Sequence, residues 1–427
     1  MNPLKIIHNF GNLTKCHSRR PLSCIALGVF LATTILSTER LLAHTRCLNQ
    51  IKSTDSLILA DPEGHPILAK NASAPRIPAS TLKLLTSLAA IHELGLDYRF
   101  KTAFYTDKQH NLIVKGYGDP LLISEVLEKI AQRIPGKIPF VNSIVLDNSY
   151  FSRSISIPGR GHSTNPYDAP PSALSANFST IKIARDKEGS VISDEPQTPL
   201  TPLAKKIGSK IDAGRGRFTI GDDPDLAARY AGELICEFLI KAGVAVHGSI
   251  KLGSVPEDAK LLFVYHSPFT LNQVIQKMLE YSNNFIAHQL LLTMGAERFA
   301  PPGTLNKGLE VLRKFAREEL GLRHATIVEG SGISRTNRIS AQGMLRVLMR
   351  FRPHHELMRR KGNLYYKTGT LKEVRTCAGY IEDGEDKLHP FAIFINRPLP
   401  NLDSIIQCIK ESIVPRKRAN RVTEIEN

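Results

Sequence analysis

Three short motifs stand in one order along this 427-residue chain: Ser80-Thr81-Leu82-Lys83, Ser282-Asn283-Asn284 and Lys367-Thr368-Gly369-Thr370. Positions 83 and 282 lie 199 apart, far more than a simple loop spans. A chain that unites these motifs must leave one domain, build an insertion and return. Together the motifs supply a serine with a lysine base, a second hydroxyl with an amide, and a cation with hydroxyls on a strand. That set points to acyl transfer through a covalent serine ester.

Each piece alone has a plainer reading. A serine near a helix start is a cap, an i+3 lysine is a solvated side chain, and Ser282-Asn284 is turn or cap chemistry. Similar spacings also recur at Ser179-Lys182 and Ser175-Asn177. Those lie four residues apart and in reverse order. Thr180-Ile181-Lys182-Ile183-Ala184-Arg185 alternates apolar and polar residues, which reads as a strand, so Ser179 and Lys182 would point to opposite faces. Ser80 instead opens the helical run Leu82 to Ala90, where positions i and i+3 share a face. The ordered triple favours the catalytic reading.

The chemistry explains the residue types. A serine hydroxyl needs a base, and Lys83 can serve when neutral. Lowering a lysine pKa from about 10.4 to about 8 costs roughly 3 kcal/mol; burial and a second cation, here Lys367, would do it. Ser282 can relay a proton to a leaving amine. Asn284 can hold a substrate peptide group. Thr368 and Thr370 can bind a terminal carboxylate beside the Lys367 charge, and Gly369 lets the strand approach the substrate. Backbone N–H groups of Ser80 and Thr370 are the natural oxyanion donors. No metal-ligand set appears, and no cofactor is required.

The formal net charge is +16, which suits anionic partners such as cell-wall polymer or lipid headgroups. No zinc spacing, aromatic-rich basic strand or Walker-type glycine loop accompanies the charge, so nucleic acid is not an expected partner. Lys5, Lys15, Arg19 and Arg20 precede the apolar stretch Leu22 to Ser37, and Leu41-Leu42-Ala43 offers an imperfect cleavage site. Residues 1–43 therefore read as a signal peptide or N-terminal anchor. The protein is expected outside the cytoplasm, in the periplasm, either released or anchored at the membrane. Four cysteines would remain after export, Cys47, Cys236, Cys377 and Cys408, with three full pairings open; Cys377 and Cys408 sit in apolar patterns that favour buried free thiols.

Short apolar runs around Asp61-Pro62-Glu63-Gly64 read as a hairpin. Residues from about 97 to 262 read as short strands and turns, loop-heavy between 152 and 217, with an amphipathic helix at Ala227 to Ala242. Helical patterns follow at Leu271–Leu279, Asn284–Met294 and Leu305–Leu320. Strand-like runs then come at Leu364–Leu371, Cys377–Ile381 and Phe391–Asn396, and a closing helix at Leu402–Ile413. The resulting division is 44–96 with 263–415 as the catalytic domain, 97–262 as the insertion and 416–427 as a basic tail.

Beyond the triple, Pro78-Ala79-Ser80-Thr81-Leu82-Lys83, Gly118-Asp119-Pro120-Leu121-Leu122, Tyr167-Asp168-Ala169-Pro170-Pro171-Ser172-Ala173-Leu174 and Gly330-Ser331-Gly332-Ile333-Ser334-Arg335 carry a family likeness. The chain resembles the D-alanyl-D-alanine carboxypeptidases/endopeptidases of the penicillin-binding protein 4 type, over about residues 52 to 400. The resemblance implies an α+β fold: a serine β-lactamase/DD-peptidase (transpeptidase-like) domain of antiparallel sheet and helices, interrupted by a large, mostly-β insertion. It implies cleavage of D-Ala-D-Ala bonds in peptidoglycan stem peptides and inhibition by β-lactams. It also implies that Asp147 approaches the stem-peptide side chain, against the alternative of a turn residue after a strand. Glu329 stands where the family has aspartate, and Ser175-Ala176-Asn177-Phe178 lacks a second asparagine. Two other readings compete: a serine β-lactamase, whose nearest deacylating signature, Glu319 to Arg323, ends in the wrong residue, and a non-catalytic peptidoglycan-binding protein, which intact Ser80 and Lys83 disfavour.

Overall fold

The computed structural model describes residues 44–398 and 401–413. Residues 1–43, expected as a signal peptide or N-terminal anchor, and the expected basic tail, 416–427, lie outside the described residues. After helix α1 (residues 44–50), strands β1 (Ser56–Ala60) and β2 (Pro66–Lys70) form the expected hairpin. Its turn is fixed by Gly64 at φ +95° and by the Asp61 carboxylate, which accepts the His65 N–H at 2.8 Å. A short β3 (Pro75–Arg76) leads to a 3-10 turn, Ala79–Leu82, and helix α2 (Lys83–Leu94).

The chain then builds the inserted region: β4 (Arg99–Thr106), β5 (Leu112–Gly116), α3 (Ser124–Ala131), β6 (Ile144–Asp147), β7 (Thr180–Arg185), β8 (Val191–Ser193), α4 (Pro202–Gly208), β9 (Gly214–Thr219), α5 (Pro224–Lys241), β10 (Ile250–Leu252) and β11 (Lys260–Thr270). One sheet runs β10-β6-β5-β4-β11, with β6 parallel to both its neighbours, and a second runs β8-β7-β9. Helices α3 and α5 pack on the larger sheet through Val126, Leu127, Tyr230 and Leu234. Strand β11 pairs with β4 from Lys260↔Thr106 to Thr270↔Arg99. The expected boundary at 262 therefore falls inside a strand, because the long partner β4 holds β11 in the sheet until α6 begins.

The return segment supplies α6 (Leu271–Tyr281), α7 (Asn284–Phe299), α8 (Leu305–Glu318), β12 (Ile339–Ser340), α9 (Ala341–Phe351), β13 (Arg359–Lys361), β14 (Leu364–Leu371), β15 (Val374–Glu382), β16 (Leu388–Ile395) and α10 (Leu402–Ile413). Their sheet, β13-β14-β15-β16-β1-β2, is antiparallel throughout and closes on the hairpin formed at the start of the domain. Both faces are covered. In β1, Ile58 and Ala60 join the core under α2, α7 and α9, while Leu57 and Leu59 join the one under α10. That is the two-residue period of a strand buried on both sides.

On the outer face Cys47 and Cys408 form a disulfide, with Cα atoms 5.6 Å apart. This corrects the expectation of a free Cys408. The apolar neighbours Ile405 and Ile409 lay α10 on the sheet, and that packing brings Cys408 to Cys47. Cys377 is a buried free thiol. Among the described residues no helix is long and apolar enough to cross a membrane.

Candidate active site

Ser80 lies in the 3-10 turn that feeds α2. The turn starts under strain, because Ala79 takes φ +46°, a region that non-glycine residues avoid. Its surroundings hold it there. The Thr81 and Thr376 hydroxyls donate to the Pro78 carbonyl at 2.7 and 2.8 Å. Two glycines press on the turn from either side. A Cβ at Gly332 would lie 1.8 Å from the Ala79 oxygen, and one at Gly369 would lie 2.7 Å from the Ser80 nitrogen. The third residue of the Lys-Thr-Gly motif must therefore lack a side chain for β14 to lie against the nucleophile.

Lys83, one 3-10 step on, is fully buried. Its Nζ lies 3.0 Å from Ser80 Oγ, 2.7 Å from Asn284 Oδ1 and 2.7 Å from the Ser331 carbonyl. A neutral amine has two N–H donors and one lone pair. The amide and the carbonyl can take the two donors, which leaves the lone pair for the Ser80 hydroxyl. Burial pushes the Lys83 pKa well below its ordinary value, the charge of Lys367 adds to this, and the Glu329 carboxylate opposes it.

Ser282 is the left-handed residue (φ 54°) that ends α6, and the Asn283 side chain caps α7 by accepting the Ile286 N–H at 3.0 Å. This break between helices turns Ser282 and Asn284 into the cleft. Lys367 of β14 donates to Ser282 Oγ at 2.8 Å and to the Thr368 carbonyl at 2.7 Å. Burial, helped by nearby Arg359, brings Lys367 down to about 7. The three motifs thus form one connected set: Ser80–Lys83–Asn284 and Ser282–Lys367. Asn284 is more committed than expected, because its Nδ2 also donates to the Tyr167 carbonyl of the insertion at 3.2 Å. Thr368 is half-buried and Thr370 exposed along the same strand.

Asp147 lies in the insertion. It ends β6 fully buried; its carboxylate accepts the Ser149 and Val255 N–H groups at 2.9 and 3.1 Å and faces Lys115 Nζ at 3.2 Å. Burial alone would raise its pKa, but these bonds and the Lys115 charge hold it low. These contacts suit the alternative reading, a turn residue that closes the end of a strand.

Sequence reasoning passed over the shell behind Lys83. Glu329, fully buried, accepts from Ser331 N (2.5 Å), Ser331 Oγ (2.7 Å), Gly332 N (2.7 Å), Ser334 N (3.4 Å) and Asn337 Nδ2 (2.5 Å), and faces His288 Nε2 at 3.3 Å. Burial would raise its pKa, yet the bond and charge of His288 with the Ser331 donors bring it to about 2. One step along α7, Gln289 ties the insertion down: its Nε2 donates to the Ser172 and Gly118 carbonyls at 2.9 and 3.2 Å. The i, i+4 spacing of Asn284 and His288 was the available signal, since it places both on one face of a helix.

The D-Ala-D-Ala carboxypeptidase 3 (S13) family matches residues 52–209 and 221–360. A D-alanyl-D-alanine carboxypeptidase of Actinomadura sp. strain R39 is 26% identical over 340 residues, covering 67% of this chain and 62% of that protein, which is under two thirds of the relative's length. Among solved structures, penicillin binding protein 4 of Haemophilus influenzae aligns with a TM-score of 0.70 at 20% identity, covering 86% of this chain and 98% of that one. Its complex with a novel β-lactam aligns at 0.64 with 21% identity, covering 84% and 94%. At such identities the likeness establishes the fold, and it agrees with the α+β transpeptidase-like architecture.

Proposed function

Because the chain belongs to the D-Ala-D-Ala carboxypeptidase 3 (S13) family, we propose that it is a serine DD-peptidase that cleaves peptides ending in D-Ala-D-Ala, or D-Ala cross-links, through a Ser80 acyl-enzyme. The observation that carries this reading is the buried Lys83 amine, 3.0 Å from Ser80 Oγ, with its two other short contacts on oxygens that cannot donate a proton to it. Ser80 attacks the carbonyl of the penultimate residue as Lys83 takes its proton, and Ser282 passes a proton to the departing amine. Lys367, Thr368 and Thr370 hold the terminal carboxylate, and the backbone N–H groups of Ser80 and Thr370 hold the oxyanion. Asn284 orients Lys83 through its carbonyl and keeps one N–H for the substrate.

The Cys47–Cys408 disulfide supports an oxidising compartment, and with the targeting segment it supports action at the cell wall outside the cytoplasm. The same segment supports either release or anchoring at the membrane.

Penicillin should acylate Ser80 and stay. The nearest deacylating signature contributes nothing to the site: Leu320 and Leu322 are buried in the core, and Glu319 follows α8. Mass spectrometry of the digested protein should find the penicillin adduct on the Ser80 peptide, while a D-Ala-D-Ala peptide is hydrolysed. Penicillin turnover above about 1 s⁻¹ would make the enzyme a β-lactamase instead. No adduct and no peptide hydrolysis would leave it a wall-binding protein.

A further inference from the structure

The departing half of a substrate leaves from one side of this cleft. As Ser80 Oγ bonds the carbonyl carbon, the amide C–N bond breaks, and the amine carries away the proton that Ser282 passes to it. Ser282 Oγ meets Lys367 Nζ at 2.8 Å, so the amine and the terminal carboxylate both lie beside these two residues. Asn284 faces the insertion, with its Nδ2 on the Tyr167 carbonyl. Ser282 and Lys367 border other elements, the end of α6 and the edge strand β13. There Tyr281, the residue before Ser282, is 63% exposed, the most exposed large hydrophobic side chain among the described residues. Its ring is held nonetheless. Lys277, one helical turn back, places Nζ 5.5 Å from the ring centroid and 3.4 Å from Glu280 Oε2. Arg359 of β13 pairs with Tyr366, next to Lys367, and its Nε donates to the Glu280 carbonyl at 2.6 Å. That bond lays the Arg359 side chain across the end of α6, where its charge also reaches Lys367. Among the described residues no carboxylate pairs with this guanidinium.

A single departing D-alanine needs none of this. Its carboxylate is met by Lys367, Thr368 and Thr370, its amine by Ser282, and it extends no further. A peptide leaving group does. In a cross-link the departing amine belongs to a second stem peptide, which carries more backbone, apolar surface and carboxylate out over the rim. An exposed aromatic face that is already held in place offers such a chain a large area at little cost in side-chain freedom. A guanidinium with open N–H groups can take a carboxylate or a peptide carbonyl. We propose that Tyr281 and Arg359 form a leaving-side subsite that selects cross-linked stem peptides over free D-Ala-D-Ala ends. This rests on the Ser80 acyl-enzyme reading and adds which half of the substrate the enzyme grips. The nearby Glu280 carboxylate is engaged by Lys277, which leaves the Arg359 charge to the ligand.

The test compares two substrates: a stem peptide ending in D-Ala-D-Ala, and a stem-peptide dimer joined by a D-Ala cross-link. The readout is the ratio of their kcat/KM values, dimer over monomer, from chromatography of the products. Tyr281→Ala should lower that ratio about tenfold, mainly through the KM of the dimer. Arg359→Gln should lower it about threefold, and its influence on Lys367, which both substrates feel, cancels in the ratio. A general disturbance of Ser282 would slow both substrates alike and leave the ratio in place. A Tyr281→Ala ratio within about twofold of wild type therefore overturns the proposal. Thermal melts check folding. Should Tyr281→Ala not fold, Arg359→Gln decides, and an unmoved ratio there overturns it. A wild-type protein that hydrolyses the monomer but not the dimer overturns this inference alone. A wild-type protein that cleaves neither substrate and takes no penicillin on Ser80 overturns the acyl-enzyme reading beneath it.

Discussion

The chain contains Ser-x-x-Lys twice, and the structure gives the two copies different fates. At Ser80–Lys83 a 3-10 turn runs into α2, and the lysine lies 3.0 Å from the serine. At Ser179–Lys182 the serine closes a turn of three left-handed residues, Asn177, Phe178 and Ser179, and the lysine sits on strand β7. There Ser179 shares a hydrogen bond with Ser175 at 2.9 Å, and Lys182 faces Asp194 at 3.6 Å. The spacing is identical, so spacing alone makes no site. Helical geometry stacks i on i+3, and full burial among hydroxyl, amide and carbonyl oxygens keeps the first lysine from a carboxylate partner. The second lysine has one.

The sharpest way to break the comparison is to remove each lysine. Lys83→Ala should lower the rate of penicillin acylation by about 10²–10⁴, with the fold retained. Lys182→Ala should leave that rate within about twofold. In the wild type the rate should fall only as pH drops through the lowered Lys83 pKa, because the base works deprotonated and burial keeps that pKa far below an ordinary lysine's. Stopped-flow or fluorescent-penicillin kinetics across pH check both points. Equal losses in the two variants would mean that the copies are not different in kind.

A second difference is crowding. Gly369→Ala would put a methyl group 2.7 Å from the Ser80 nitrogen and 2.3 Å from Thr376 Oγ1. The turn or the strand must yield, and a displacement on the order of 1 Å at a reacting group costs about 10² in rate. The same acylation assay measures it, and a loss under about threefold would show that the nucleophile turn tolerates movement.

Much of this arrangement was legible. Period and turn residues located the hairpin Ser56–Lys70, the strand Leu364–Leu371 and the closing helix Leu402–Ile413, because those signals are local. The helical reading of Leu82 to Ala90, set against the alternation after Ser179, was enough to choose between the two copies. What escaped depends on distant packing. Nothing near Asp147 says that Lys115 and the Val255 N–H will close over it. Cys47 and Cys408 are 361 positions apart, and four cysteines leave three pairings open. Glu329 was visible as a departure from its family, but its partner His288 lies 41 positions away on another element.

The smallest effects belong to the second copy, and they concern stability. Ser175 and Ser179 are both buried, and among the described residues their shared hydrogen bond is the one that either hydroxyl makes. Ser179→Ala would strand the Ser175 hydroxyl, and a buried polar group left unpaired costs about 1–3 kcal/mol. The replacement must also hold Ser179's left-handed φ of 54°, which alanine bears no better than serine, so the backbone gives no compensating gain. Lys182→Ala should cost less still. The Lys182 side chain is 39% exposed and its oxygen partner 3.6 Å away, the kind of surface pair worth about 0–1 kcal/mol. Urea melts of the two variants, read beside their unchanged penicillin labelling, check the order. If Lys182→Ala destabilised more than Ser179→Ala, the ion pair with Asp194 would be holding the three-stranded sheet together, and the second copy would have a structural role of its own.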